Sequence, residues 1–165
     1  MPPELLVVSN SAEQTRACAA ALAEQCRAGD LVILTGDLGA GKTAFCQGFG
    51  AALGVPGPIT SPTFTLHQRH EGRLVMHHLD VYRIEQLDET IELGLSELLE
   101  SGGVTLIEWG DKIRLALPAR YLELSMELGE RDDDRRIRVT CVGDGWQDRM
   151  AAFTESLALR GVTSC

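Results

Sequence analysis

The amino-acid sequence predicts an α/β fold of three layers around a mixed, partly antiparallel sheet. Three observations lead to this prediction. The apolar strand at residues 31–35 runs directly into a glycine-rich loop and then into a helical segment. Apparent strand pairs alternate with helices further along the chain, and a second fully apolar strand occupies residues 104–107. A chain of 165 residues is of ordinary size for one domain, so we expect residues 1–165 to form a single unit.

The first third of the chain is predicted to alternate strand and helix. Residues 5–8 form a short strand. Ser11, followed three residues later by Gln14, is a capping-box signature that begins a helix ending at about Arg27. The helix after the glycine-rich loop has large apolar side chains spaced four apart and ends at Gly54.

The middle of the chain predicts a hairpin, a helix and a buried strand. Residues 63–69 and 73–80 are predicted to pair across a Glu-Gly turn. The leucines and isoleucine between residues 87 and 99 indicate one helix, or two short helices broken near Gly94. Residues 104–107 then lead into Glu108.

The last third predicts an antiparallel pair and a final helix. Residues 121–128 and 136–142 pair across a charged turn whose side chains we expect to be solvated. Trp146 and the apolar residues that follow have helical spacing, which predicts that Trp146 belongs to a helix packed against the core.

The glycine-rich loop has the pattern of a phosphate-binding P-loop. Residues 36–43 read GDLGAGKT, which is G-x-x-x-x-G-K-T between a strand and a helix. In such a loop, backbone N–H groups converge on phosphate oxygens at a helix N-terminus. Lys42 is predicted to reach the phosphates and Thr43 to bind magnesium. Only two of the fifteen basic residues are lysines, and one of them is at this position.

Composition excludes several other classes of protein. No apolar stretch approaches the roughly 18 residues that span a bilayer, and the first residues do not resemble a signal peptide, so we expect a cytoplasmic protein. Five cysteines without a C-x-x-C pair predict buried thiols, and neither disulfides nor zinc. The net charge of −9 opposes direct binding to a nucleic acid.

Two predicted strands end in an acid. Asp80 ends the strand of the hairpin, and Glu108 ends the apolar strand at residues 104–107. Because ligands of open α/β sheets collect at the carboxyl ends of strands, both acids are expected to face the P-loop. His78 lies two residues before Asp80 and is expected to lie near the phosphates or to be packed, whereas His77 is expected to be structural.

Four motifs together resemble the TsaE family, bacterial ATPases of the tRNA threonylcarbamoyladenosine pathway. They are GDLGAGKT, SPTF at residues 61–64, HLDVYR at residues 78–83 and IEW at residues 107–109, in this order. The resemblance extends from about Ser11 to Lys112, and the last third of the chain agrees only in layout.

The resemblance implies a P-loop NTPase-like fold and a set of site residues. Catalytic roles fall to Lys42, Asp80 and Glu108, and Mg²⁺ is coordinated by Thr43 and Glu108. Residues 61–64 act as a switch loop. The implied ATP-binding residues are Gly36, Leu38, Gly39, Ala40, Gly41, Lys42, Thr43, Ala44, Thr63 and Trp109. The implied partners are TsaB and TsaD, whose complex modifies the adenosine beside the tRNA anticodon, with tRNA bound only through them.

Two alternatives stay open. A small-molecule kinase uses the same phosphate cradle, although the chain has little length for an acceptor pocket and lid. A nucleotide-gated binding module with slow turnover is the other. A GTPase is disfavoured because neither D-x-x-G nor N-K-x-D occurs.

Overall fold

A mixed sheet forms the middle layer of this computed structural model, which describes residues 3–60, 67–84 and 89–165. Its strands are β1 (Glu4–Ser9), β2 (Leu31–Thr35), β3 (His67–His70), β4 (Met76–Asp80), β5 (Val104–Glu108), β6 (Tyr121–Leu128), β7 (Arg135–Val142) and β8 (Thr163–Ser164). The helices are α1 (Ala12–Ala23), α2 (Lys42–Ala52), α3 (Glu89–Glu100) and α4 (Met150–Leu159). Short 3-10 helices cover Gly110–Ala116 and Gln147–Arg149.

The strand order confirms the predicted α/β class with a mixed sheet. Across the sheet the order is β3-β4-β5-β2-β6-β7-β1-β8. Four neighbouring strands, β4, β5, β2 and β6, run parallel to one another. Antiparallel pairs flank them on both sides, β3 with β4 and β6 with β7. The sheet is therefore parallel where the P-loop begins and antiparallel toward its edges.

Alternate residues of β2 face two separate cores, which makes three layers. Val32 and Leu34 belong to the larger core, on the side of α1, α2 and α4. Leu31 and Ile33 belong to a smaller core that includes Leu95 of α3. All five residues of β2 are buried, as expected for a parallel strand covered on both faces.

Helix α1 begins as predicted and ends earlier than predicted. The Ser11 hydroxyl accepts a hydrogen bond from the N–H of Gln14, which caps the helix. The helix ends at Ala23 and does not reach Arg27. The Arg27 N–H is instead donated to the Asp30 carboxylate over 2.6 Å, so the side chain stabilises a turn in place of a further helical turn.

The second strand of the hairpin is shorter than predicted, and α3 is a single helix in its described length. Strand β4 begins at Met76, three residues after the predicted start, and β3 is described over His67–His70. The predicted residues 63–66 lie outside the described residues. Helix α3 continues through Gly94, where a helix break was one of the two predictions.

Two predictions for the C-terminal third were wrong in part. Trp146 belongs to the larger core as predicted, but it precedes the last helix, which begins at Met150, and its ring packs on the guanidinium of Arg149 at 3.8 Å. Cys165 is exposed, whereas the other four cysteines are buried as predicted, and all five are free thiols. In the described ranges, no helix combines the length and apolar character needed to cross a bilayer.

Candidate functional site

The P-loop has the strand–loop–helix geometry that its sequence predicts. It leaves β2 at Thr35 and enters α2 at Lys42. Gly36 and Gly41 adopt positive φ angles of 133° and 106°, which L side chains rarely adopt. A Cβ on Gly36 would lie 2.3 Å from the carbonyl oxygen of Met126 on β6. Glycine is therefore required at position 36 for two reasons, backbone conformation and close contact with the next strand.

The Lys42 side chain lies inside the loop that it belongs to. Its ammonium donates hydrogen bonds to the carbonyls of Gly36 (2.5 Å) and Asp37 (2.8 Å) and lies 3.9 Å from the centre of the Trp109 ring. Burial lowers the pKa of Lys42 below its ordinary value of 10.5, and the negative charge of Glu108 is the largest effect in the opposite direction. The ammonium is thus held by carbonyls of its own loop, by an aromatic face and by the charge of nearby acids.

Trp109 is held over Lys42 by an unusual backbone conformation. Its φ of 63° is the one positive value among the non-glycine residues that the structure describes. Its N–H bonds to the carbonyl of Leu34 at the end of β2 over 2.8 Å, and its ring packs on Tyr82 at 4.7 Å between centroids. Strained residues of this kind cluster at functional sites. The fold places the predicted Trp109 beside the P-loop lysine.

The two predicted acids align with the strand that carries the P-loop. The parallel register pairs Leu34 with Glu108 and Glu108 with Asp80, so all three lie at one level at the carboxyl ends of β2, β5 and β4. Glu108 is 3% exposed and its carboxylate lies 2.6 Å from His78. Asp80 accepts a hydrogen bond from the N–H of Tyr82 over 2.9 Å. Both acids therefore lie on the sheet beside the phosphate loop.

Arg135 contacts the P-loop, although the sequence offers it only as one of four arginines (Arg73, Arg83, Arg135 and Arg136) that are candidates to contact a nucleotide or a partner. Its guanidinium donates to the carbonyls of Ala40 (3.0 Å) and Gly39 (3.1 Å), and also to the carbonyls of Asp132 and Asp134 in the turn before β7. The expectation of a wholly solvated charged turn was wrong for this residue. No local signal was available, because Arg135 and Gly39 are 96 residues apart in the sequence.

The remaining predicted site residues are an exposed loop residue, two residues of the first turn of α2, and one residue that lies outside the described ranges. The side chain of Leu38 is 78% exposed, so only its backbone is suited to contact with a phosphate. Thr43 and Ala44 form the first turn of α2, directly after Lys42. Thr63, with the whole predicted switch at residues 61–64, lies outside the described residues.

The residues predicted to coordinate Mg²⁺ have donors of the right kind. Thr43 offers a hydroxyl and Glu108 a carboxylate, and hard oxygen ligands are those that Mg²⁺ prefers. The carboxylate of Glu108 is close enough to influence the pKa of Lys42 and to raise that of Cys46, which burial already raises well above 9.0. The buried Glu108 carboxylate beside the P-loop is a group of the kind that would hold a divalent cation, which would neutralise phosphate charge there.

Comparison with known proteins places the chain among threonylcarbamoyladenosine biosynthesis proteins. The family model described as "Threonylcarbamoyl adenosine biosynthesis protein TsaE" matches residues 9–137. The TsaE protein of Bacillus subtilis is 41% identical over 136 residues, which cover 82% of this chain and 84% of that protein. The TsaE protein of Treponema pallidum is 38% identical over 132 residues, 80% of this chain and 97% of that protein.

A solved structure extends the likeness to the whole chain. The crystal structure of Bacillus subtilis YdiB superposes with a TM-score of 0.76 at 34% sequence identity, covering 98% of each chain. The likeness therefore includes the last third, in which the sequence motifs indicated only a similar layout. On the family model, these relatives and this fold, the chain belongs to the TsaE family of tRNA threonylcarbamoyladenosine biosynthesis proteins.

Proposed function

We propose that this chain binds ATP with Mg²⁺ at the P-loop and hydrolyses it to support TsaB and TsaD in modifying the adenosine beside the tRNA anticodon. The observation that carries the proposal is the register that aligns Glu108 and Asp80 with the end of the P-loop strand. This alignment brings the phosphate cradle and two carboxylates to one edge of the sheet. The cytoplasm, where tRNA is modified and used, is the expected place of action.

Each residue has a role in the proposed reaction that follows from its chemistry. The N–H groups of residues 36–43 and the Lys42 ammonium bind the phosphates. Thr43 and Glu108 would hold Mg²⁺, which neutralises phosphate charge when bound. Asp80 orients the water whose oxygen attacks the γ-phosphorus, while the bond to the β-bridging oxygen breaks and leaves ADP and phosphate.

The proposal is tested by measuring phosphate release from ATP by the purified chain, alone and with TsaB and TsaD. We expect the partners to raise turnover, because the chain has little length for an acceptor pocket and needs something to close its site. Lys42→Ala is expected to weaken ATP binding at least about tenfold, because a hydrogen bond to a charged group is lost. Lys42→Arg is expected to fail as well, since a planar guanidinium does not replace a compact ammonium.

Asp80→Asn separates hydrolysis from binding. It is expected to retain ATP affinity in calorimetry and to lose turnover by about 100-fold or more, the usual effect of removing a group that handles the reacting proton. If Lys42→Ala bound ATP as the wild type does, the P-loop assignment would be wrong. Turnover that no partner raises would instead favour the nucleotide-gated binding module.

A further inference from the structure

Behind the carboxylate of Glu108 lies a fully buried histidine. His78 Nε2 is 2.6 Å from Glu108 Oε2, and the two side chains are 0% and 3% exposed. They come from different strands, and the parallel pairing of β4 with β5 places His78 opposite Leu106, two residues before Glu108 and on the same face of the sheet. The fold, and no local sequence pattern, creates this contact.

The hydrogen-bond partners of the His78 ring indicate which of its two nitrogens carries the proton. Within the described ranges, His78 Nδ1 has no hydrogen-bond partner. A proton on Nδ1 would be a buried donor left unsatisfied, which costs more than leaving an acceptor unpaired. We therefore assign the proton to Nε2, which donates to Glu108 Oε2.

Core packing does not account for a histidine at this position. Buried neighbours on this side of the sheet include Met76, Leu106 and Cys46, all members of the larger hydrophobic core. A leucine would fill the space without burying polar atoms, whereas a buried imidazole with one unpaired nitrogen is costly. The presence of histidine here is therefore better explained by its hydrogen bond to Glu108, which orients the carboxylate.

We propose that His78 is a positioning residue that holds the Glu108 carboxylate in the orientation required to bind the divalent cation of the nucleotide. The proposal rests on the proposed function, and it extends the site to a residue that contacts neither nucleotide nor metal. Carboxylates that bind metals are commonly fixed by a second hydrogen bond of this kind, and its loss typically weakens metal affinity 10- to 100-fold.

The test measures the Mg²⁺ concentration that gives half-maximal enhancement of ATP binding, by calorimetry, in the wild type and in His78 variants. His78→Leu is expected to raise this concentration about 10- to 100-fold and to leave Mg²⁺-free nucleotide binding unchanged. His78→Gln places an amide N–H near the position of Nε2 and is expected to restore most of the affinity. His78→Asn carries the same amide one carbon shorter, cannot reach Glu108, and is expected to behave like leucine.

Cys46→Ala is the matched control. The Cys46 sulfur, a nitrogen of His78 and an oxygen of Glu108 all lie within 4.8 Å of one another, so the control changes the same buried cluster. A neutral thiol is a poor ligand for Mg²⁺, so this variant is expected to keep the wild-type Mg²⁺ dependence. An equal shift in Cys46→Ala and His78→Leu would reduce His78 to a packing residue and overturn the proposal.

A second readout needs no metal. Urea unfolding is measured for His78→Leu, Glu108→Gln and the double variant. If the two side chains are hydrogen-bonded, the fold-change in the unfolding constant of the double variant is expected to differ from the product of the two single fold-changes. Independent effects would overturn the assigned hydrogen bond. A wild type without any Mg²⁺ dependence would overturn the proposed function and this role together. A Mg²⁺-dependent wild type with an unchanged His78→Leu would overturn the role of His78 alone.

Discussion

Single residues of the P-loop are fixed by contacts on both of its sides. Inside the loop, the Lys42 ammonium donates to two carbonyls and packs on Trp109. Outside it, Arg135 donates to two further carbonyls of the loop. Because these carbonyls are engaged by side chains, the loop keeps its shape through the protein's own contacts.

Gly36→Ala is expected to displace the P-loop. A methyl group there would lie 2.3 Å from a main-chain carbonyl of β6, which cannot move without disturbing the sheet. We expect a loss of stability clearly larger than the roughly 1–2 kcal/mol that a positive φ costs by itself, and the loss of ATP binding, measured by urea unfolding and calorimetry. Gly29→Ala is the control, because Gly29 also has a positive φ, of 91°, with no atom within 4 Å of its Cβ position. It is expected to cost only about 1–2 kcal/mol from the backbone conformation. Equal effects in the two variants would contradict the role of the β6 contact.

At the scale of elements, the β3–β4 hairpin carries a histidine pair on the sheet. His67 Nε2 and His77 Nδ1 are 3.0 Å apart, and His77 Nε2 lies 3.2 Å from the Ser101 hydroxyl after α3. This agrees with the structural role expected for His77. Burial, and then the nearby positive charge of Arg69 or of the other histidine, lowers the pKa values of both rings below the ordinary value of 6.5.

These lowered pKa values predict a stability that falls in acid. The unfolded chain takes up protons near pH 6.5, whereas the folded hairpin does so only at lower pH. Stability contributed by these groups is therefore complete above pH 6.5 and is lost as the pH falls through the lowered values. Unfolding free energies between about pH 5 and pH 8 are expected to show this loss in the wild type and a shallower one in the double variant His67→Gln, His77→Gln. The same slope in both proteins would assign the effect to other groups.

A partly buried ion pair joins the C-terminal segment to the turn before β2. Arg149 contacts both carboxylate oxygens of Asp30, at 2.6 Å and 3.1 Å, and also donates to the carbonyls of Gln25 and Gly145. Arg149→Leu is expected to cost up to about 3 kcal/mol in urea unfolding, because the partly buried Asp30 carboxylate loses its charged partner. Adding Asp30→Asn is expected to recover part of that loss. If the second change only adds to the first, the unpaired charge is not the cause.

At the scale of the whole molecule, the acidic balance of the chain opposes contact with RNA. The net charge is −9 over 165 residues. Affinity for nucleic acids depends mainly on neutralising phosphates with Lys and Arg, and it falls steeply with salt. An acidic chain of this size lacks that general attraction, which agrees with a role in which tRNA is bound through partners.

Fluorescence anisotropy with labelled tRNA tests this expectation. The free chain is expected to bind tRNA weakly even at low salt, and binding is expected to appear only when TsaB and TsaD are added. As the control, TsaB and TsaD are added to the labelled tRNA without this chain. Tight, salt-sensitive binding by the isolated chain would contradict indirect binding and favour a self-contained RNA enzyme.

The sequence alone determined those features that depend on neighbours along the chain. The P-loop needs a strand, glycines and a helix in immediate succession, so residues 31–53 specify it locally. Asp80 and Glu108 were predicted at strand ends because each directly follows an apolar run. The ends of helices also depend on side chains outside the helix. Helix α1 ends early because the Asp30 side chain competes for a backbone N–H, and Trp146 falls outside α4 although its spacing is helical.

The tertiary structure decided which of these residues meet, because local spacing does not determine the order of strands in a sheet. Placing β5 between β2 and β4 aligns the P-loop strand with both acids and brings His78 onto Glu108 across 30 positions of sequence. Placing β6 and β7 on the other side brings Arg135 to the P-loop across 96 positions. The sequence therefore specified the chemical groups of the site, and the pairing of distant strands determined their partners.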